Sequence, residues 1–312
     1  MAKARTKKKK PEDFIPRSAS ESMQNKKREK LGFLVRMNIR QMIMIPLAVF
    51  IIAALILAVH FPTLGIDLQG GVVVTAQGID ANPDALAKYV SGELGVQVRV
   101  ESFSGINQKG VRIYAPVGTD PTAIIKVMRA RYPNAEYTHS EVQPTFGKIA
   151  QQQGIKAIVF AFIGMAVVVF LFFRNPVSAS AIVFSAFSDM TIALALMSVV
   201  GIQLTTATIA ALLMLIGYTV DSNILLTTRL LRRKEDTIEE AYLSAVSTGF
   251  TMSTTTLGAL IVLLAISTSQ VIDSIAIVLI FGLLADFMNT WVFNAGVLRW
   301  YILRKGAGRV KK

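Results

Sequence analysis

The sequence predicts an α-helical membrane protein: six transmembrane helices, with one external α+β domain set between helices 1 and 2. Three observations predict it. The chain of 312 residues is 53% hydrophobic, its mean hydropathy is +0.51, and its charges gather in a few blocks instead of covering a surface. Six apolar stretches are each long enough to cross a hydrocarbon core, which takes roughly 20 residues. Between the first and second of them, residues 61–154 carry regular turn signals and balanced charge, eight basic against eight acidic residues.

The elements follow in order. Residues 1–40 form a basic arm, beginning "MAKARTKKKKPEDFIPRS", whose composition predicts disorder. The first span, about 42–60 within a segment 41–60, is a full span behind a long basic leader, so it reads as a signal anchor and not as a cleavable signal peptide. The external segment alternates as β-α-β-β-α-β. "IDLQGGVVVTAQG", "VQVRVESFSG", "GVRIYAP" and "AEYTHSEVQP" read as strands. Two helices start at Asn82-Pro83 and Asp120-Pro121, each an N-cap followed by a proline at the first helical position. That order predicts a ferredoxin-like split βαβ sandwich. Five spans then make a bundle over 155–303, at about 155–173, 177–200, 204–228, 248–266 and 271–298, with a basic tail at 304–312. Short loops set the orientation. The loops at Arg174–Pro176 and Arg229–Asp236 are basic, like both termini, whereas Gly201–Gln203 and Ser267–Gln270 carry no charge. Both termini are therefore expected in the cytoplasm and residues 61–154 outside the cell membrane.

Several chemistries find no support. The chain has no cysteine and hence no disulfide or thiolate chemistry, and two histidines, His60 and His139, are too few for a histidine metal centre. No GxxxxGK phosphate loop occurs, and no cofactor motif or catalytic constellation stands out, so an enzyme is not expected. The net charge of +13 fits basic flanks that meet anionic lipid headgroups better than it fits specific nucleic-acid recognition, because no basic motif interleaved with aromatics follows.

The candidate functional residues are polar groups inside the apolar spans, where a charged side chain costs at least about 2.5 kcal/mol. Asp221 lies in "IGYTVDSNILLTTRLLRRKED", with Ser222 and Asn223 beside it and Gly217 one turn earlier, read as a site of close helix approach. Asp189 falls mid-span in the third helix and Asp286 mid-span in the sixth, with Asn289 one turn on. Thr248, Thr251 and Thr255 recur at helical spacing along the fifth. Desolvation disfavours the charged form of a carboxyl group, so acids and hydroxyls placed this way predict a proton relay through Asp221, Asp189, Asp286, Asn223, Ser222, Thr251 and Thr255. The alternative is that buried Asp residues only fix helix register and that the threonines bond back to their own helix. Asp273, near the outer surface, is expected to cap a helix or face an interface.

The layout, with "GIDLQGG" after the first span and "SDMTIALALMSVVGIQLTTATIAALLMLIGYTVDSNILLTTRLLR" over spans three and four, resembles SecF, of the SecD/SecF family of protein-export membrane proteins related to RND transporters. The likeness runs over about residues 40–303. It rests on Gly65, Ile66, Asp67, Gly70 and Gly71 of the first motif, on Asp189, and on Gly217, Asp221 and Arg229 of the fourth span. The resemblance implies an auxiliary subunit that acts with SecD at the SecY channel, meets the translocating polypeptide and membrane lipids, and draws on the proton-motive force. Thr248 stands where bacterial members carry an arginine, and Asp286 where they carry a small residue, which makes the chain similar to the archaeal form. An RND-like proton-driven efflux transporter and a passive scaffold subunit of the translocon are the competing expectations.

Overall fold

The structure, a computed structural model, describes residues 37–104, 109–232, 238–267 and 269–310. Most of the basic N-terminal arm, the centre of the basic loop after Arg232 and the last two residues lie outside the described residues.

Six helical stretches are long and apolar enough to cross a membrane, which makes the chain a multi-pass membrane protein. The first is α1 (Ile39–Val59), which runs into a helical turn, α2 (Ile66–Gln69). The α+β domain comprises β1 (Gly71–Gln77), α3 (Pro83–Leu94), β2 (Arg99–Ser104), β3 (Lys109–Ala115), α4 (Pro121–Arg131) and β4 (Glu136–Val142). The bundle continues with α5 (Pro144–Phe173), α6 (Pro176–Val200), α7 (Thr206–Arg232), α8 (Ile238–Ile266) and α9 (Gln270–Met288). A π-helical segment, Asn289–Asn294, joins α9 to α10 (Ala295–Val310) inside the sixth span.

The four strands form one antiparallel sheet in the order β2-β3-β1-β4, the arrangement expected of a split βαβ sandwich. The alternation along each strand assigns its two faces. Val72, Val74, Ala76, Val111 and Ile113 point to one side and form the core with Leu86 and Val90 of α3 and Ile124 and Met128 of α4. Both helices start as the sequence predicts: Asn82 accepts from the Asp84 and Ala85 amides, and Asp120 from that of Thr122.

One strand prediction is corrected. "IDLQ" turns as a helix, and β1 begins only at Gly71. Gly70 sits at φ 81°, in the left-handed region that a residue with a side chain rarely adopts, so extended pairing cannot pass through it. A Cβ there would also lie 2.8 Å from the Cα of Pro144, the first residue of α5. Gly71 packs equally closely against Ala115 O.

Two tight connections set the bundle. Between α5 and α6, Arg174 takes a left-handed conformation (φ 51°) and Asn175 caps the next helix by accepting from the Val177 amide at 3.1 Å, with Pro176 behind it. Gly201 (φ 81°) ends α6, and the strand-like link that follows pairs with the chain leaving α1. Leu204 N donates to Thr63 O and Gly65 N to Leu204 O, both at 2.8 Å. Asp67 completes this clasp by accepting from the Thr206 amide and hydroxyl at the start of α7. Gly65 must stay bare, since a Cβ would meet Thr205 Cγ2 at 2.6 Å. The Gly-Ile-Asp motif is thus a joint between the domain and the third-to-fourth-span link.

Candidate functional site: a buried polar cluster in the bundle

Halfway along α6, Ser188 and Asp189 turn inward and are fully buried. Asp189 Oδ2 accepts from the Thr219 hydroxyl of α7 at 3.0 Å, and Oδ1 from the Asn289 side-chain amide at 2.7 Å. The same Asn289 nitrogen also reaches Ser188 Oγ at 2.9 Å. Asp286, one turn before Asn289, is 1% exposed. Its Oδ1 accepts from the Thr290 hydroxyl at 2.6 Å, and Ser222 of α7 lies beside it. The two carboxyl groups are near enough to act on each other electrostatically. The cluster extends toward the other end of the span through Asn223, whose amide donates to Thr219 O at 2.8 Å and whose oxygen accepts from Asn294.

The winding of the sixth span makes this convergence possible. Asn289 and Asn294 are five residues apart, a spacing that an α-helix would rotate by about 140°. A π-helical segment closes its bonds from i to i+5, which brings both asparagines to one side. Asn289, Thr290 and Asn294 are all buried there. The large apolar residues of the segment pack outward from the cluster: Trp291 fills a core with Met42, Leu226 and Tyr242, and the Tyr242 hydroxyl donates to Trp291 O at 2.7 Å. Gly249 of α8 leaves the space that the Trp291 ring occupies. On another side Ala53 of α1, Ile192, Ala195 and Ala285 close the cluster off.

Several buried oxygens in this region find no hydrogen-bond partner among the described residues: Asp286 Oδ2, Asn289 Oδ1, Asn294 Oδ1 and Thr227 Oγ1. Buried polar atoms are ordinarily paired, so a run of acceptors without partners beside two carboxyl groups makes this cluster the candidate functional site. Bonds from neutral donors hold Asp189, and no described cation neutralises either acid. The arrangement is chemically suited to accepting and passing H⁺.

The structure thus brings together Asp189, Asp286, Ser222 and Asn223 of the predicted relay, and leaves the others apart. Asp221 is exposed on the outer face of α7 and takes part in none of the hydrogen bonds or ion pairs found among the described residues. Gly217 shares that face, and a Cβ on it would meet nothing within 4 Å, so within this chain it serves no close helix approach. Thr251 and Thr255 are exposed on α8 and donate back to the carbonyls of Ser247 and Thr251 at 2.9 and 2.8 Å. Thr248 does the same to Ser244 O at 3.0 Å. Arg229 bonds the Ser244 hydroxyl. Asp273 sits in the first turn of α9. Ser188, Thr290 and Asn294 were not among the predicted residues. The signal for the last two was "ADFMNTWVFNAG", in which two asparagines interrupt an apolar run at a spacing foreign to an α-helix.

Comparison with known proteins places these features in a family. Residues 124–304 match the family model described as protein export membrane protein SecD/SecF, C-terminal. The protein-export membrane protein SecF of Thermococcus gammatolerans is 66% identical over 301 residues, covering 95% of this chain and 93% of the relative. Its counterpart in Pyrococcus furiosus is 58% identical over 284 residues, 89% of this chain and 96% of the relative. The crystal structure of SecDF from Thermus thermophilus, a translocon-associated membrane protein, superposes with a TM-score of 0.71 at 18% identity. That match covers 84% of this chain and 38% of the larger one, and shows the shared fold.

Proposed function

The chain belongs to the SecD/SecF family of protein-export membrane proteins, and from that premise we propose that it is an auxiliary, non-enzymatic subunit of the Sec export machinery whose bundle couples H⁺ movement to translocation. The export role is supported by relatives of nearly the same length named protein-export membrane protein SecF. The coupling is supported by one observation above the rest: two carboxyl groups, Asp189 and Asp286, share a sealed polar cluster built from three helices.

The mechanism follows from what a proton does there. The Asn289 amide and the Thr219 hydroxyl both donate to Asp189, and such bonds are strong when the acceptor is a carboxylate. Adding H⁺ removes that charge and adds a donor, so the grip of α6 on α7 and on the π-helical segment loosens. Rewinding of this segment from the i to i+5 to the i to i+4 pattern would re-aim Asn289 and Asn294 together. One charge moved across the membrane potential releases about 2.3 kcal/mol per 100 mV, enough to bias such a rearrangement.

Asp221 has a different place in this proposal. An unpaired carboxylate on the outer face of a spanning helix is costly against lipid, and the Gly217 surface beside it is open. That face suits a second membrane subunit of the SecD type, with a SecY-type channel nearby. The α+β domain is then on the outer side of the membrane and both termini are in the cytoplasm, as the charge of the loops favours.

The test is export by membrane vesicles containing the full complex, with the proton-motive force imposed or collapsed. Asp189→Asn and Asp286→Asn should each remove the stimulation due to the proton-motive force while the chain stays in the membrane. Stimulation that survives both substitutions would reduce the cluster to a structural role.

A further inference from the structure

Between α5 and α6, on the side of α6 turned away from Asp189, the chain leaves an apolar groove of about 530 Å³. Ala166 of α5 and Ala179 of α6 line it with little bulk, and Phe162, Phe170, Phe184 and Phe187 frame it. Ser180 is the one polar side chain among the lining residues, and its hydroxyl donates to Val177 O at 3.1 Å. No side chain there is left to hold a polar ligand, so the groove suits hydrocarbon.

Two features say which hydrocarbon. The first is extent. From Phe170 to Phe162 the groove runs about 12 Å, at about 1.5 Å per helical residue, which stays within the roughly 15 Å that one leaflet contributes to the hydrocarbon core. At its far end the Phe162 and Phe187 rings meet at 6.1 Å and close it. A spanning partner helix would need a seat through both leaflets. At roughly 30 Å³ per water-sized group, near the size of a methylene, the groove holds about 18 groups, which is one lipid chain. The second feature is charge at the other end. Arg174 follows Phe170 by one turn, where α5 stops, and is exposed. α1 lies alongside α6: the Ser198 hydroxyl donates to His60 O where both helices end, and Phe50 packs on Phe184 and Phe187 at 5.3 and 5.9 Å. Arg40, ten residues before Phe50, is thus level with Arg174, ten before Phe184, and it too is exposed. Neither arginine takes part in an ion pair found among the described residues.

We propose that this groove holds one chain of an anionic membrane lipid, in the leaflet on the Arg174 side, with the headgroup phosphate at the level of Arg40 and Arg174. Lipid tails are as apolar as the groove walls, so the tail by itself gives no preference over bulk lipid. The shape of the groove fixes the place, and the arginines select the headgroup. The bound chain backs the helix whose opposite face carries Ser188 and Asp189, and so supports the polar cluster from behind.

Two measurements test it. In the first, native mass spectrometry reads the lipid retained by the purified full chain after titration with dioleoylphosphatidylglycerol, which is anionic, or dioleoylphosphatidylcholine, which carries no net charge. The unaltered chain should keep one phosphatidylglycerol in preference to phosphatidylcholine. Arg40→Gln and Arg174→Gln should each reduce that preference about fivefold, the effect of one basic residue at a membrane surface. Ser180→Phe, which fills the groove, should remove the retained lipid, whereas Val262→Phe, at an exposed position of α8, should leave retention unchanged. Equal retention by the unaltered chain and Ser180→Phe overturns the proposal, as does a lack of preference between the two headgroups. In the second, p-benzoylphenylalanine in place of Phe170 is irradiated in native membranes. A lipid adduct is expected. Attachment to another membrane subunit, or to a second copy of the chain, makes the groove a protein contact and overturns the proposal too.

Discussion

Trp291 is fully buried, and the ring lies where any side chain at position 249 would begin. Gly249→Ala should therefore lower the thermal midpoint of the purified chain, by a destabilisation of about 1–3 kcal/mol typical of an overpacked core. Gly217→Ala is the matched control: nothing lies within 4 Å of the added carbon, and the isolated chain should keep or slightly raise its midpoint. Tyr114 offers a second residue-scale reading. Burial first, and the neighbouring Glu101 carboxylate next, push its phenol up from 10.0 to about 12. A group whose folded value is raised contributes stability that is complete below its unfolded value and is lost as the pH rises through the folded one. The domain should accordingly lose stability between pH 10 and about 12, and ultraviolet difference titration should show one fewer late-titrating phenol in Tyr114→Phe than in the unaltered chain.

Helix starts are the elements in which sequence and structure agree most closely. Asn82→Ala removes the side chain that receives two amides at the head of α3 and should cost about 1 kcal/mol, measured by denaturant unfolding. Asp120, at the head of α4, responds to pH instead. Hydrogen bonds from the Thr122 hydroxyl and then its amide hold its carboxyl below the ordinary 3.8. A depressed folded value means stability present above the unfolded value and lost as the pH falls through the folded one. Acidification below 3.8 should thus fray α4, and Asp120→Asn should flatten that dependence in amide exchange. These caps were legible because an N-cap and a proline at the first helical position act locally. The turn at Ile66–Gln69 was not legible as a helix, because its alternating apolar residues fit a strand until Gly70 is seen bent against the start of α5. The π-helical segment escaped for a related reason: an i to i+5 winding has no strong local propensity and persists only where packing supports it.

For the whole molecule, the proposed orientation makes a direct prediction from the absence of native cysteine. In intact cells a membrane-impermeant maleimide should label Glu93→Cys, on the α+β domain, and should reach Ser18→Cys, in the basic arm, only after permeabilisation. The reverse pattern would invert the topology and, with it, the leaflet in which the groove lies. The domain and the bundle are joined at the Asp67 clasp, so Asp67→Ala should increase protease cutting near Leu204 without removing the chain from the membrane.

By itself the sequence determined the membrane class, the six spans, the order of the domain's strands and helices, and the family motifs, because span length, caps and alternation are written along one dimension. It also determined that acids lie at depth. Which of them meet was decided only by the tertiary structure. The bundle helices are apolar nearly all round, so position along a span gives depth but not the direction a side chain faces. Asp221 looked like the centre of a relay by its surroundings in the chain, yet it points outward on α7. Asp189 and Asp286, separated by most of the bundle in sequence, are drawn together by the packing of α9 against α6, and Asn289, at the start of the π-helical segment, ties the pair by donating to Asp189.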